Sequence, residues 1–471
     1  MKIVTPGQMK AMDLRTVEEG LFSSLRLMQN AAEALYREIS AWIETHGCDR
    51  VLLLAGPGNN GGDAYALACL LEPAYHPAIL PVGGEERSPD CTYYFDKCKK
   101  LNIPFVKDPA GYPLVVDGVF GTGFHGALPQ EVQELFEKIT VPVAAIDLPS
   151  GMDGSSGVTS PGTLKPELTV TFAFQKPCHL LADCGNVVLA DIGIPSYYAD
   201  GISRCTLAPE LPERFAWGHK NSYGAVGLRV GAPEYPGAAA LAIKGALCSG
   251  AGLVFAYLPE EARRAAAAKF YGPVLRAESD LLPLSCHAYL VGSGLGRSEA
   301  AAADVQTLWE SELPLVVDGD GLWNLGSILS PRNASTVLTP HMGEFSRLCG
   351  LPMEQILQNR IEIAEDFASK NHIVLVLKDA ATVVTDGSHT EILSKPCSAL
   401  AKGGSGDLLA GLIAGLLAGG AKPFSAAKTG VWLHNRAGHL AAKEHSVRAL
   451  QPEQIAEYIN NAWMELEHGA F

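Results

Sequence analysis

Short apolar runs rich in β-branched residues alternate with helical patterns along the whole chain, and nearly every run ends in a glycine or aspartate cluster. In the first half the runs are "RVLLLAGPGNNGGD", "YPLVVDGVFGTGFHG" and "VPVAAIDLPSGMDG"; the second half includes "AYLVGSGLG", "LPLVVDGDGL" and "HIVLVLKDAATVV". This pattern is typical of parallel α/β folds, in which helices cover the sheet and ligands bind at the carboxyl ends of the strands. The chain is therefore predicted to be an α/β protein with its sites directly after its strands.

The 471 residues exceed what one ordinary core accommodates, so two or three domains are expected. The segment "GISRCTLAPELPERFAWGHKNSYG" combines proline, glycine and charge with little periodicity, which favours a boundary there. We predict a first domain over residues 1–205, a linker over 206–220 and a second domain over 221–471. In the first domain, "SSLRLMQNAAEALYREISAWI" predicts a helix that closes the core, with Ser23 or Ser24 as its N-cap.

Composition excludes several classes of partner. A formal net charge of −15 argues against non-specific binding to nucleic acid, which needs clustered lysine and arginine. The N-terminal stretch lacks the apolar segment of a signal peptide, and no run reaches the about 18 apolar residues that span a bilayer. The eleven cysteines include no CxxC pair and indicate free thiols in a reducing compartment. We expect a cytoplasmic protein that acts on small molecules.

The first half carries one group of polar side chains at its strand ends. "AGPGNNGGDAYALACLL" connects a strand to a helix, so its backbone N–H groups and helix dipole favour an anion. Asn60, Asp117 and Ser150 follow neighbouring strands and together offer oxygens to one cation. Asp147 is a candidate general acid or base. The simpler alternative for each aspartate is that it caps the turn that follows it.

"NNGGDA", "DGVFGTGF" and "AIDLPSGMDG", in this order after "LMQNAAEAL", resemble the NAD(P)H-hydrate epimerase domain, also called the YjeF N-terminal domain. The resemblance covers residues 1–205 and implies K+ ligands at Asn60, Asp117 and Ser150. It places Lys176 in a family-like context without a role. It implies substrate contacts at the following residues: Asn59, Asn60, Gly61, Gly62, Asp63, Gly121, Thr122, Gly123, Phe124, His125, Gly126, Ala127 and Asp147.

The second half of the chain has a different set of residues after its predicted strands. "GGSGD" places a glycine-rich loop before Asp407 at the start of a predicted helix. Such a loop stabilises charge on a phosphoryl group while the carboxylate takes the proton of an attacking hydroxyl. Neither a Walker A motif nor a protein-kinase set is present. His341 in "TPHMGEF" is either structural or functional, and Asp318 and Asp320 in "VVDGDGL" either bind a metal or cap a turn.

"VGSGLGR", "VVDGDGLWNL", "TPHMGEF", "LKDAATVV" and "AKGGSGDLLAG" together resemble the ADP-dependent NAD(P)H-hydrate dehydratase domain of the ribokinase-like superfamily. The resemblance implies hydrate contacts at Ala238, Gly294, His341 and Asp407, and a catalytic role for Asp407. Asp379 stands where the family commonly has glycine, and its charge is expected to weaken ADP binding unless Lys378 or a cation offsets it. The implied contacts to adenine nucleotide are Lys378, Asp379, Ala380, Ala381, Thr382 and Gly406.

The two resemblances imply a Rossmann-like three-layer domain followed by a ribokinase-like three-layer domain. The implied function is repair of hydrated NADH and NADPH: the first domain interconverts the R and S hydrates with K+, and Asp147 transfers the proton. The second domain dehydrates the S form with ADP and Mg2+. A homo-oligomer is expected. Two other functions stay open on the residues alone: a ribokinase-like kinase for a small molecule, which Asp407 would serve equally well, and a module that binds nucleotide without catalysis.

Overall fold

The structure is a computed structural model that describes residues 1–326 and 328–469. The chain divides into two compact units, the first from Met1 to Arg204 and the second beginning at Cys205. None of the described helices is both long enough and apolar enough to cross a membrane. The eleven cysteines all lie in the described part and are free thiols, as predicted.

The first unit contains a parallel sheet of strand order β2-β1-β3-β4-β5-β6. Alternate residues of β1 pack on opposite faces: Val51 and Leu53 join one core cluster, and Leu52 and Leu54 join another. Its helices and strands are α1 Pro6–Glu18, α2 Ser24–Thr45, β1 Arg50–Ala55, α3 Asn59–Leu71, β2 His76–Pro81, α4 Pro89–Lys100, β3 Val115–Gly118, α5 Gln130–Phe136, β4 Val143–Ile146, β5 Leu168–Phe172, α6 Cys178–Leu181 and β6 Asn186–Ala190.

The second unit contains a sheet of order β10-β9-β8-β11-β12-β13-β14-β15-β16-β7, parallel from β10 to β14 and antiparallel through β15 and β16. Its strands are β7 Arg204–Thr206, β8 Ala225–Arg229, β9 Leu253–Leu258, β10 Val274–Ala277, β11 Ala288–Val291, β12 Leu315–Val317, β13 Thr336–Leu338, β14 Val374–Leu377, β15 Val383–Thr385 and β16 Thr390–Ile392. Its helices are α7 Pro236–Cys248, α8 Glu260–Lys269, α9 Glu299–Glu310, α10 Asp320–Leu325, α11 Met342–Cys349, α12 Met353–Gln358, α13 Arg360–Asn371, α14 Ser405–Ala418, α15 Pro423–Glu444, α16 Pro452–Glu457 and α17 Ile459–His468.

Helix α14 begins within "GGSGD" and continues through the apolar run that follows, where it is buried from Leu408 to Ala418. Helix α7 packs along it so closely that a Cβ at Gly411 would lie 2.1 Å from the carbonyl oxygen of Ala242. In the other direction, a Cβ at Gly245 would lie 2.1 Å from the carbonyl oxygen of Leu408. The glycines are therefore needed because the two helix backbones touch, and this contact fixes the helix that carries Asp407.

The α/β prediction is confirmed for both units, as is the helix with its cap: α2 begins at Ser24, and the side chain of Ser23 accepts a hydrogen bond from the backbone N–H of Arg26. The strands without a counterpart among the predicted runs are β2, β5, β6, β7, β10 and β16. The start of the segment predicted as a linker packs against the second unit: the backbone N–H of Leu207 donates a hydrogen bond to the carbonyl oxygen of Ile392.

Candidate functional site

The site of the first unit begins at the turn from β1 into α3. A Cβ at Gly61 would lie 1.8 Å from the carbonyl oxygen of Gly56, so only glycine allows this tight turn. The turn places the buried Asn60 beside the next loop, where its amide donates to the carbonyl oxygen of Phe120 at 3.0 Å. Asn59 is held at the rim by a 2.9 Å hydrogen bond from the hydroxyl of Ser88. The glycine-rich turn therefore presents two amide side chains at the carboxyl end of β1.

Asp117 lies fully buried at the end of β3, and its hydrogen-bond donors among the described residues are all neutral. The hydroxyl of Ser150 donates to its Oδ1 at 2.6 Å and the backbone N–H of Ser150 to its Oδ2 at 2.8 Å. Burial raises the pKa of Asp117, and the bonds from Ser150 and Val119 oppose this only in part. A carboxylate without a cationic partner, next to the oxygens of Ser150 and Asn60, fits a hard monovalent cation.

Asp147 follows β4 with its backbone in the left-handed region at φ 65°, a conformation that an aspartate tolerates better than most residues. Its Oδ1 accepts hydrogen bonds from Lys176 Nζ at 2.7 Å and from the hydroxyl of Thr171 at 2.9 Å. Burial would raise the pKa of Asp147, but the charge and hydrogen bond of Lys176 and the bond from Thr171 outweigh it and lower the pKa. Asp147 is therefore ionised at neutral pH.

Two further carboxyl groups, those of Asp63 and Asp13, interact electrostatically with Asp147, and both have raised pKa values. Burial and the charge of Asp147 raise the pKa of Asp63 well above its ordinary value. Burial also raises the pKa of Asp13 to about 6, although Lys176 opposes it. His179 is neutral, because burial and Lys176 lower its pKa to about 4, and its Nε2 contacts the carbonyl oxygen of Asp147 at 2.7 Å. Asp147 is thus the ionised carboxylate of this group, and Asp63 is the carboxyl group that retains its proton most strongly.

The predicted loop 121–127 is only partly directed at this site. Gly121 lies against Asn60, since a Cβ there would be 3.2 Å from Asn60 Cγ. Phe124 packs in the core, so only its backbone is available to a ligand. His125 is exposed and pairs with Asp153 at 3.3 Å. Among the remaining loop residues, Thr122 is half-buried, and Gly123, Gly126 and Ala127 are exposed.

The site of the second unit is built around Asp407 in the first turn of α14. Gly404 caps this helix in the left-handed region at φ 93°, and a Cβ at Gly406 would lie 3.0 Å from Lys378 Nζ. Burial raises the pKa of Asp407 to about 7; Asp318 raises it too, while Lys378 and a hydrogen bond with Ser293 lower it. A carboxyl group with such a pKa is suited to exchange a proton near neutral pH.

Lys378 and Asp318 form a buried ion pair next to Asp407. Lys378 Nζ donates to Asp318 Oδ1 at 2.7 Å, and the hydroxyl of Thr339 donates to the same oxygen at 2.7 Å. Ser293 donates to Asp318 Oδ2 at 3.1 Å. Both oxygens of Asp318 are thus occupied, and its role is to hold Lys378 beside the loop before α14. Asp320 connects two loops, because it accepts hydrogen bonds from the backbone N–H of Gly296 at 3.0 Å and from Nε of Arg297 at 3.1 Å.

The predicted hydrate contacts gather on one side of this site. Gly294 lies against Ala238, since a Cβ on Gly294 would be 2.7 Å from Ala238 Cβ. His341 caps α11: its Nδ1 accepts from the backbone N–H of Gly343 at 3.0 Å, and its exposed ring lines a cleft with Gly294. The backbone of His341 pairs with that of Lys378, which joins the predicted hydrate contacts to the predicted nucleotide contacts.

The predicted nucleotide turn, residues 378–382, connects β14 to β15. Asp379 does not pair with Lys378; its Oδ2 lies 3.0 Å from a guanidinium nitrogen of the buried Arg360. Asp379 and Ala380 are exposed, whereas Ala381 and Thr382 are buried. Behind the neighbouring loop, the hydroxyl of Ser405 contacts the buried Nε2 of His434 at 3.1 Å.

Several residues of these sites were not predicted. Asp13, Thr171 and His179 lie on elements with no glycine or aspartate cluster, and Arg360 and His434 lie inside helices far along the chain. Lys176 alone had been noted, from its family-like context and without a role. Among the described residues, no three His, Cys, Asp or Glu side chains come together as metal ligands.

Known proteins match both halves of the chain. A family model described as YjeF-related protein N-terminus matches residues 24–178, and one described as NAD(P)H-hydrate dehydratase matches residues 226–461. The bifunctional NAD(P)H-hydrate repair enzyme of Moorella thermoacetica is 32% identical, covering 99% of this chain and 97% of that protein. The chain belongs to this family of bifunctional NAD(P)H-hydrate repair enzymes. The Mycobacterium tuberculosis member is 34% identical over 86% of this chain and 88% of its own.

Solved structures resemble the second unit of this repair-enzyme chain. The ADP/ATP-dependent NAD(P)H-hydrate dehydratase from Bacillus subtilis, co-crystallised with ATP and Mg2+, is 30% identical with a TM-score of 0.50, covering 54% of this chain and 94% of that one. A ribokinase-like superfamily protein from Enterococcus faecalis has a TM-score of 0.51 at 23% identity, covering 56% of this chain and 96% of its own. The second likeness confirms the ribokinase-like fold.

Proposed function

We propose that the chain repairs hydrated NADH and NADPH in two steps, one on each unit. Residues 221–471 would dehydrate the S hydrate with ADP, giving NAD(P)H, AMP and phosphate, and residues 1–205 would interconvert the R and S hydrates. The observation that carries the proposal is Asp407, a carboxyl group with a pKa of about 7 between a glycine loop and a buried lysine. This is the arrangement that activating a hydroxyl toward a phosphate requires.

In the dehydratase, Asp407 takes the proton of the hydroxyl on C6 of the S hydrate. The hydroxyl oxygen forms a bond to the terminal phosphorus of ADP, and the bond from that phosphorus to AMP breaks. The C6–O bond then breaks with the help of the lone pair on the ring nitrogen, so inorganic phosphate leaves. Loss of a proton from C5 restores the double bond and completes NAD(P)H.

The chain supplies the charge that this transfer needs. Lys378 Nζ lies beside Gly406, so it and the backbone N–H groups before α14 face the phosphoryl group. Asp318 keeps Lys378 charged, because burial would lower the pKa of Lys378 but the attraction of Asp318 raises it. The proposed nucleotide contacts are residues 378–382 and Gly406, and Mg2+ would supply further neutralisation of the phosphates.

In the epimerase, the R and S hydrates interconvert if the ring opens at the C6–N bond and closes on the other face. Opening takes a proton from the C6 hydroxyl and gives one to the nitrogen side, and closing reverses both transfers. We assign the first transfer to Asp147, which is ionised, and the second to Asp63, whose raised pKa keeps a proton available. Asn60, Asp117 and Ser150 would hold K+, which orders the surrounding loops.

Recovery of NADH absorbance from a mixture of R and S hydrates with ADP tests the whole proposal. The wild-type chain is expected to return both forms to NADH. Asp407→Asn is expected to abolish recovery of both, because the dehydratase is the only exit, whereas Asp147→Asn is expected to spare the S form. Absence of recovery with either ADP or ATP would contradict the proposal; loss of S recovery in Asp147→Asn would contradict the division between the units.

The proposal also covers the compartment of the enzyme and its oligomeric state. We place it in the cytoplasm, where free thiols persist and hydrated cofactors arise. A homo-oligomer is the proposed assembly, and light scattering of the purified chain measures it directly.

A further inference from the structure

A cleft of about 310 Å³ opens beside the proposed hydrate contacts of the second unit. Gly294 and His341 form one wall, and Arg297, Trp323 and Arg347 line the rest together with carboxylates. Asp320 lines the cleft and also acts electrostatically on Asp407, so the cleft is next to the proposed catalytic group. No role assigned so far uses its arginines or its tryptophan.

Two guanidinium groups stack on the single indole of Trp323. The Cζ of Arg297 lies 3.9 Å from the ring centroid and the Cζ of Arg347 lies 4.2 Å from it. The two Cζ atoms are therefore no more than about 8 Å apart, by addition of these two distances. Burial lowers the pKa of Arg347, and the charge of Arg297 lowers it further, against the opposing effect of Glu344. An anion bound between the two guanidinium groups would reduce the repulsion of their like charges.

The neighbouring carboxylates leave most guanidinium donors unused. Asp320 accepts from Nε of Arg297 at 3.1 Å. Glu344 is committed to the cap of α11, where it accepts from the backbone N–H of His341 at 2.8 Å. In the part of the chain that the structure describes, no hydrogen bond or ion pair occupies Arg347 or the terminal nitrogens of Arg297. Several N–H donors thus face the cleft around an exposed aromatic surface.

We infer that Arg297, Trp323 and Arg347 form the subsite that binds a phosphate group of the hydrated dinucleotide, away from the ring that reacts. The inference rests on the proposed function, because it assigns the remote part of the same substrate. Paired guanidinium groups recognise phosphate oxygens through forked hydrogen bonds, and the indole holds both side chains in place. The phosphate is either the diphosphate bridge, common to both hydrates, or the 2′-phosphate, which only NADPH hydrate carries.

A purely structural role is the alternative. A structural role does not explain the cluster well, because the side chain of Arg297 is 56% exposed and Trp323 is 44% exposed. Exposed ion pairs and cation–π contacts contribute little to stability. Arg297→Gln and Arg347→Gln should therefore leave folding intact, which a thermal melt verifies.

The test is steady-state dehydration of purified S-NADH hydrate and S-NADPH hydrate by the full chain at saturating ADP. Arg297→Gln, Arg347→Gln and the double variant are compared with wild type, and Arg264→Gln is the control, since its side chain is 80% exposed on α8. We expect each single variant to raise the KM for hydrate roughly tenfold while kcat changes little, because a charge-assisted contact to the bound substrate is lost. Arg297→Lys should restore part of the affinity, since it keeps the charge but not the fork.

The two substrates distinguish the source of the phosphate. An equal rise in KM for both hydrates assigns the diphosphate bridge, and a rise confined to NADPH hydrate assigns the 2′-phosphate; either supports the subsite. An unchanged KM in the double variant, with an active wild type, overturns it. An inactive wild type instead overturns the proposed function, so the two failures are separate.

Discussion

The carboxyl group of Asp407 must be ionised before it can take a proton from the substrate. Because its folded-state pKa is about 7, the dehydratase rate at low substrate is expected to rise with pH up to about 7 and to level off above it. Initial rates on the S hydrate from about pH 5 to about pH 9 measure this rise and the plateau above it. A rate that stays flat down to pH 5 would show that another group, with an ordinary carboxyl pKa, acts as the base.

Asp379 adds a negative charge to the proposed nucleotide turn, and Arg360 rather than Lys378 offsets it. Asp379→Gly leaves the buried guanidinium without its counter-charge, so the KM for ADP is expected to fall several-fold, roughly threefold to tenfold. Arg360→Gln leaves the acid unpaired next to a phosphate, so the KM for ADP is expected to rise. Measurement at saturating hydrate isolates the nucleotide step. Shifts in the reverse directions would show that the pair does not face the nucleotide.

At the scale of the element, the contact between α7 and α14 determines where Asp407 sits. Gly411→Ala places a methyl group against the backbone of α7 and is expected to lower the stability of the second unit by roughly 1–3 kcal/mol. Gly237→Ala is the matched control, since a Cβ at this exposed position of α7 meets nothing within 4 Å. Thermal unfolding compares the two. Equal melting temperatures would mean that the helices separate at little cost.

Strands that end in glycine and aspartate were predictable from sequence, because their apolar runs and turn residues are local signals. Strand β5 lacks such a turn, so Thr171 and the path to Lys176 were not foreseen. The partnership of Lys378 with Asp318, and of Asp379 with Arg360, arises from strand order and helix packing, which no local pattern encodes. The sequence located the candidate residues of each site but not the pairs that set their charge.

At the scale of the whole molecule, each unit has its own sheet, its own core and its own candidate site. An equal mixture of Asp147→Asn and Asp407→Asn chains is therefore expected to recover both hydrates, although neither variant alone recovers the R form. The hydrate must diffuse between chains, so the rate of R recovery should increase with protein concentration. NADH absorbance with purified R hydrate and ADP follows it. Failure of the mixture would show that the substrate never leaves the chain in which it is epimerised.

If the buried carboxylate of Asp117 holds K+ as proposed, folding of the first unit is linked to the ionic medium. A cation that binds only the folded chain stabilises it in proportion to the logarithm of its concentration. Because burial raises the pKa of Asp117, a proton competes for the same position: acid favours the protonated folded form, and stability falls as pH rises through the folded pKa. Potassium should thus raise the melting temperature of the first unit more when Asp117 is ionised than when acid protonates it, and melting curves with and without potassium over a series of pH values measure the difference.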